Sequence, residues 1–148
     1  MAEREQQAGV DDVEARETWE RLKQNPGSVL IDVRTQAEWA YVGVPDLSSL
    51  GKEPFFLEWR QFPQGEVNPS FASQLASMLA AKAADKDAEL FFICRSGHRS
   101  LHAAEAMAAV GYRACHNVAG GFEGPLDSAA HRGLVAGWKA AGLPWVQR

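Results

Sequence analysis

Short apolar segments alternate along this chain with segments of helical periodicity, and that alternation restricts the folds open to it. The strand-like segments cover residues 28–33, 53–59, 89–94 and 113–118. They are short and rich in β-branched or aromatic residues, as buried strands usually are. Helical spacing of apolar residues occurs between them. The alternation predicts an α/β fold in which a mostly parallel sheet is covered by helices on both faces.

Helix start and stop signals agree with this order. The predicted helices cover residues 15–24, 71–79 and 101–108, and Leu134 and Trp138 predict a last helix before Gly142. Asn25-Pro26-Gly27 ends the first helix, Asn68-Pro69-Ser70 begins the second and Gly111 ends the third. Neither an internal repeat nor a low-complexity linker divides the 148 residues, of which 46% are hydrophobic. We therefore expect one domain over residues 10–148, preceded by a flexible N-terminal segment of residues 1–9.

Charge and hydropathy exclude several classes of partner. The formal net charge of −4 disfavours binding to nucleic acid through a basic surface. No apolar run approaches the ~20 residues that span a bilayer. The polar first seven residues lack the apolar segment of a secretory signal, so a cytoplasmic location is expected. Oligomeric state cannot be inferred from these features.

The segment from Phe91 to Ser100 carries the chemistry. An apolar run leads into Cys94, and a polar loop and a helical segment follow at once. Only the thiolate form of cysteine is a strong nucleophile, and amides at a helix N-terminus together with nearby arginines favour an anion. Arg95 and Arg99 supply those arginines. We interpret Cys94 as a reactive residue; the alternative is an inert cysteine buried at a strand end.

The second cysteine, Cys115, lies near the start of the next strand, whereas Cys94 lies at the end of its own. In parallel neighbouring strands these positions are on the order of 10 Å or more apart at ~3.3 Å per residue. A disulfide requires Cα atoms within ~7 Å. We therefore expect Cys115 to be a buried spectator.

Active sites of open parallel sheets lie beyond the carboxyl ends of the strands. Asp32 and Arg34 follow another strand there, so Arg34 is a candidate for anion binding and Asp32 for orienting a loop arginine. The alternative is structural: Asp32 caps the helix that opens near Thr35, and Arg34 pairs with Glu38. Gly120-Gly121 would turn the chain at the same edge, either as a plain turn or to allow close backbone approach.

Three motifs together resemble the rhodanese domain over nearly the whole chain, from about Val10 to Trp145. They are Leu30-Ile31-Asp32-Val33-Arg34 with Glu38-Trp39, Cys94-Arg95-Ser96-Gly97-His98-Arg99-Ser100, and Asn117-Val118-Ala119-Gly120-Gly121-Phe122. The middle motif is the specific one, and the order and spacing of the other two strengthen the match. One segment departs from the family pattern, because Gly43-Val44-Pro45-Asp46-Leu47 lacks the usual histidine and second glycine.

The resemblance implies a five-stranded parallel sheet and a catalytic cysteine that cycles between thiolate and persulfide. Cys94 would carry the sulfur, and the substrate-binding residues would be Arg95, Ser96, Gly97, His98, Arg99 and Ser100. The donor would be a small anion such as thiosulfate, and the acceptor cyanide or a thiol. Metals and organic cofactors are not implied. The activity expected is that of a sulfurtransferase with ping-pong kinetics.

Other functions remain open at this stage. A cysteine-dependent phosphatase or arsenate reductase also places an arginine after its cysteine, but the four residues between Cys94 and Arg99 form a shorter loop than the five that wrap phosphate. A regulatory binding module would not need turnover. Cys94, His98 and His102 have a metal-like spacing, without an evident fourth ligand. The aromatic segment 48–65, with Phe55, Phe56, Trp59 and Phe62, forms either core or a rim over the pocket.

Overall fold

Five parallel strands form the central sheet of the structure, a computed structural model that describes residues 9–61 and 65–147. The strands are β1 Val10–Glu14, β2 Val29–Asp32, β4 Phe55–Phe56, β7 Glu89–Ile93 and β8 Ala114–Ala119. Their order across the sheet is β1-β8-β7-β2-β4. All four pairings within the sheet are parallel. The expected flexible segment 1–9 lies outside the described residues except for Gly9, and so does Phe62.

Two short antiparallel ladders and four helices complete the described part of the chain. The ladders pair β3 (Val44–Pro45) with β9 (Trp145–Val146) and β5 (Arg60–Gln61) with β6 (Glu66–Val67). The helices are α1 Ala15–Gln24, α2 Gln36–Tyr41, α3 Phe71–Ala81 and α4 His98–Ala109, and a 3-10 turn covers Ser48–Leu50.

Both faces of the sheet are covered, because successive side chains of a strand point to opposite sides. Leu90, Phe92 and Cys94 pack in one apolar cluster with α3 and α4. Phe91 and Ile93 pack in a second cluster, which contains Leu22 of α1 and Trp138. The uninterrupted apolar run of β7 is therefore the run of a central strand buried on both sides. The predicted α/β architecture with helices on both faces is confirmed.

The predicted last helix near Leu134 and Trp138 is wrong. Residues 131–144 form turns and bends, with Leu134 68% exposed and Trp138 fully buried. The amides of Gly133, Trp138 and Lys139 donate to carbonyls of residues 121–123 instead of to a helical partner four residues earlier. Tertiary hydrogen bonds therefore replace the helical ones, and this irregular segment covers the same sheet face as α1.

The register between β7 and β8 separates the two cysteines, as expected. Cys115 lies opposite Leu90, four residues before Cys94 in β7 and its following loop. At ~3.3 Å per residue this places the two about 13 Å apart along the strand direction. Both cysteines are free and buried.

Candidate active site

Cys94 lies directly after the carboxyl end of β7, at the centre of the sheet edge. Its neighbours in the sheet are β2 on one side and β8 on the other. The residue is 1% exposed and belongs to the apolar cluster under α3 and α4. Three loop residues separate it from His98, where α4 begins. Cys94 therefore faces the N-terminal turn of a 12-residue helix, whose free amides attract negative charge.

The sulfur of Cys94 accepts two backbone hydrogen bonds from that turn. The amide nitrogens of Gly97 and Ser100 lie 3.2 and 3.3 Å from Sγ. The hydroxyl oxygen of Ser100 lies 3.1 Å from the same atom. Gly97 has a φ of 116°, a left-handed value that glycine adopts without the penalty of a Cβ. Glycine at this position therefore lets the chain turn into α4 directly after the amide that bonds the sulfur.

The other loop residues do not all face the sulfur. Arg95 and His98 are exposed, and Ser96 is half-buried. The Arg95 carbonyl accepts hydrogen bonds from the amides of Glu123 and Gly124. Of the six residues expected to bind substrate, Gly97 and Ser100 therefore contact Sγ, while Arg95 and His98 present side chains to solvent.

Arg99 is held by the carboxylate of Glu38, an acidic residue of α2 outside the cysteine loop. Its two terminal nitrogens lie 2.7 and 2.9 Å from the two carboxylate oxygens of Glu38. Burial alone would raise the pKa of Glu38, but hydrogen bonds from Arg99 and Thr35 outweigh it and lower the pKa to about 2. The same hydrogen bond to Glu38 raises the pKa of Arg99, because it stabilises the charged guanidinium. The structural alternative, in which Arg34 pairs with Glu38, is therefore wrong.

Arg34 binds Asp32 instead. The Arg34 Nε and Nη2 atoms donate to the Asp32 carboxylate at 2.9 and 2.7 Å, and Nη2 also donates to the Gly43 carbonyl. Both side chains are fully buried. Asp32 is not the helix cap, because Thr35 forms the capping box of α2 with Glu38. The ion pair joins β2 to the segment before β3, and the guanidinium lies over the ring of Phe122.

The turn at Gly120-Gly121 approaches the cysteine loop closely. A Cβ on Gly121 would lie 2.5 Å from the Cys94 carbonyl oxygen, so only glycine fits there. The next residue, Phe122, donates its amide to that carbonyl at 2.8 Å. Of the two interpretations offered for these glycines, close backbone approach is the one that the structure shows at Gly121.

Two residues reach the site without having been assigned a role from sequence. The Ser100 hydroxyl donates to Oδ1 of Asn117 at 2.5 Å. The Asn117 amide nitrogen donates to Asp12 at 3.0 Å and to the Gly97 carbonyl at 3.2 Å. Asn117 lies within one of the three motifs, and its amide side chain directly before Val118 in a predicted strand was the available signal. Asp12 belongs to β1, which was not predicted as a strand.

The remaining cysteine differs sharply from Cys94 in its surroundings. Burial raises the pKa of Cys115 to about 12, which keeps its thiol protonated. Its sulfur lies 3.6 Å from the Tyr112 carbonyl oxygen.

Between Gly9 and Gln61 and from Gly65 to Gln147, no group of three or more His, Cys, Asp or Glu side chains is arranged to hold a metal ion. At the sheet edge, the Cys94 sulfur lies against the hydrogen-bond donors of Gly97 and Ser100.

Comparison with known proteins agrees with this geometry. A family model described as the STR4 middle domain matches residues 10–148. The chain is 36% identical over 102 residues to thiosulfate sulfurtransferase 18 of Arabidopsis thaliana, which covers 68% of each chain. It is 35% identical to protein RP600 of Rickettsia prowazekii, over 92% of this chain and 97% of that one. The crystal structure of Rv0390 from M. tuberculosis is 44% identical, covers 93% of this chain and 98% of its own, and superposes with a TM-score of 0.81.

None of the helices in the described ranges is both long and apolar enough to cross a membrane.

One family is indicated by the five-stranded parallel sheet, by the position of Cys94 at its edge and by the sequence relatives. The chain belongs to the family of the STR4 middle domain and is a rhodanese-like domain.

Proposed function

We propose that this domain is a sulfurtransferase in which Cys94 accepts a sulfane sulfur and passes it to a thiophilic acceptor. The observation that carries the proposal is the pair of amide hydrogen bonds from Gly97 and Ser100 to the Cys94 sulfur. Preorganised donors of this kind stabilise a negative sulfur without rearranging during the reaction. The likeness to a thiosulfate sulfurtransferase supports thiosulfate as a donor.

The proposed reaction consists of two displacements. The Cys94 thiolate attacks the outer sulfur of thiosulfate, a new S–S bond forms, and sulfite leaves with the electron pair of the broken bond. Cyanide or a thiolate then attacks the outer sulfur of the persulfide, and Cys94 leaves as a thiolate. The same donors face the anionic sulfur in both steps, so no metal or organic cofactor is required.

The charged side chains near the loop indicate which residue attracts the anionic sulfur donor. Both terminal nitrogens of Arg99 are bound by Glu38, whereas Arg95 is exposed. We therefore assign attraction of the anionic donor to Arg95, and Arg99 orders the loop against α2. The resemblance alone left attraction of the donor to either arginine.

The test is the intact mass of the protein after incubation with thiosulfate. We expect a gain of one sulfur atom in the wild type and in Cys115→Ser, its loss on treatment with cyanide, and no gain in Cys94→Ser. Cys115→Ser is the matched control because it removes the other cysteine of the chain. Absence of the gain with thiosulfate and with an organic persulfide would contradict the proposal, and hydrolysis of a phosphate ester instead would favour the phosphatase alternative.

A further inference from the structure

Ser100 has one hydroxyl proton and two neighbours that could receive it. Its oxygen lies 3.1 Å from the Cys94 sulfur and 2.5 Å from Oδ1 of Asn117. A serine hydroxyl donates one hydrogen bond and accepts through its lone pairs. The direction of the contact with Cys94 therefore depends on whether Asn117 takes the proton.

The orientation of the Asn117 side-chain amide is determined by its other partners. One end faces a carboxylate oxygen of Asp12 at 3.0 Å and the carbonyl oxygen of Gly97 at 3.2 Å. A carboxylate oxygen and a carbonyl oxygen both accept hydrogen bonds, so the NH2 group of Asn117 must occupy that end. The opposite orientation would place three oxygens together in a site where Asn117 is 5% exposed.

The carbonyl end of Asn117 consequently faces Ser100, and it can only accept. The Ser100 hydroxyl proton therefore lies on the Asn117 side, and a serine lone pair faces the sulfur. A protonated Cys94 can donate its S–H to that lone pair. The resulting series of hydrogen bonds runs from the Cys94 thiol through the Ser100 hydroxyl to the carbonyl oxygen of Asn117. Asp12 accepts a hydrogen bond from the amide nitrogen of Asn117.

We propose that Asn117 is a positioning residue that withholds the Ser100 hydroxyl proton from Cys94 and so leaves the Cys94 thiolate one hydrogen-bond donor short. The inference deepens the proposed function and depends on it only in taking Cys94 as the reacting group. In this arrangement the thiolate has two backbone donors, from Gly97 and Ser100, and gains a third only when the Ser100 hydroxyl rotates away from Asn117. Hydrogen bonds to a charged acceptor are stronger than those to a neutral one, so this third donor would favour the thiolate.

The decisive variant is Asn117→Leu, which has a similar shape but no polar atoms. We expect the pH midpoint of Cys94 alkylation by iodoacetamide, followed on the Cys94 peptide, to fall by about one unit, which corresponds to a tenfold change in the ionisation equilibrium. Asn68→Leu, a change at another buried asparagine, should leave the midpoint unchanged. An unchanged or higher midpoint in folded Asn117→Leu would overturn the proposal.

A double-variant cycle separates this route from general damage to the site. In a Ser100→Ala background there is no hydroxyl proton to release, so adding Asn117→Leu should not move the midpoint further. If Asn117→Leu lowers the midpoint equally with and without Ser100, the effect does not pass through the hydroxyl and the proposal fails.

A spectroscopic measurement keeps the proposal testable even if Asn117→Leu does not fold. In Cys115→Ala the S–H stretching band arises from Cys94 alone. Adding Ser100→Ala should move that band to higher wavenumber, because the thiol loses its acceptor. An unmoved band would show that the thiol does not donate to Ser100. Neither the alkylation midpoint nor the S–H band requires thiosulfate. A negative result in these tests is therefore distinguishable from failure of Cys94 to form a persulfide.

Discussion

At the Cys94 loop, the groups that contact the sulfur are different from the groups that hold the loop in place. Gly97 and Ser100 contact Sγ, whereas Arg99 is directed to Glu38 and the Arg95 carbonyl to the chain after β8. Glu38 accepts from both Thr35 and Arg99, which joins the first turn of α2 to the first turn of α4. A single carboxylate therefore connects two helix starts at the site.

The Glu38 pair predicts a pH dependence of stability. The pKa of Glu38 is about 2 in the fold, below its ordinary value of 4.5, so its contribution is complete above about pH 4.5 and is lost as pH falls towards 2. We expect Glu38→Gln to be less stable than the wild type at pH 6, with the difference shrinking by about 1 to 2 kcal/mol at pH 3. This change is smaller than the whole pKa shift would give, because solvent screens a pair whose Glu38 and Arg99 side chains are 19% and 21% exposed.

Urea unfolding of both proteins at the two pH values measures this difference. Glu20→Gln, an exposed change on α1, is the control and should show no such narrowing. A gap between wild type and Glu38→Gln that is the same at pH 3 and pH 6 would mean that the carboxylate is not stabilised in its charged form by Arg99.

At the scale of elements, the turn after β8 acts on the loop after β7 through backbone contact. The Phe122 amide reaches the Cys94 carbonyl, and Gly121 passes close enough that a side chain there would collide with it. The two loops therefore form one unit at the carboxyl edge of the sheet, and the position of Cys94 depends on both.

Gly121→Ala tests this coupling. Its Cβ would lie 2.5 Å from the Cys94 carbonyl oxygen and 2.6 Å from that of Arg95, so the cysteine loop must move. We expect a loss of at least about 2 kcal/mol of unfolding free energy and at least tenfold slower alkylation of Cys94 at fixed pH. Gly142→Ala is matched in backbone conformation, with a φ of 74° and open space around it, and should cost only about 1 kcal/mol. Equal rates of Cys94 alkylation in the two variants would contradict the coupling.

Sequence patterns predicted the elements whose signals are local. β2, β7, β8 and the first, third and fourth helices follow from apolar runs, periodicity and end signals. β1 was not recognised because Val10–Glu14 carries three acidic residues among its five, a composition tolerated at the sheet edge. The last helix was predicted wrongly because the spacing of Leu134 and Trp138 cannot reveal tertiary hydrogen bonds.

In the candidate site, too, the sequence predicted only the features that lie within one local segment. Cys94 and its loop were identifiable because all their residues lie in one segment between a strand and a helix. The partners of that loop were not, since Glu38 is 61 residues from Arg99 and Asp12 is 105 residues from Asn117. Which of several carboxylates meets a given arginine depends on side-chain directions that spacing does not specify.

Across the whole molecule, the irregular C-terminal segment completes the core on the face opposite α3 and α4. Trp138 is fully buried, donates its indole N–H to the Pro144 carbonyl at 2.7 Å and packs edge-on against Trp19 at 5.9 Å. The following residues reach β3 as strand β9. This segment therefore takes the place of a helix in covering the sheet.

Trp138→Ala is expected to lower the free energy of unfolding by about 3 to 5 kcal/mol, the range for a large aromatic removed from a core. Leu134→Ala should change it by less than about 0.5 kcal/mol, because Leu134 is largely exposed. Chemical denaturation of the two variants measures the contrast. Comparable losses would indicate that both residues face the core, as the predicted helix would have required.

The pairing of β1 with β8 has a consequence for the time at which the cysteine site is completed during folding. Asp12 and Asn117 lie in register, yet they are separated by 105 residues of chain. Contacts of such high sequence separation carry a large loop-closure cost and are typical of slow folding steps. The Asn117–Asp12 hydrogen bond cannot form until β1 has docked beside β8, so a nascent or partly folded chain lacks one of the two contacts that orient Asn117 towards Ser100.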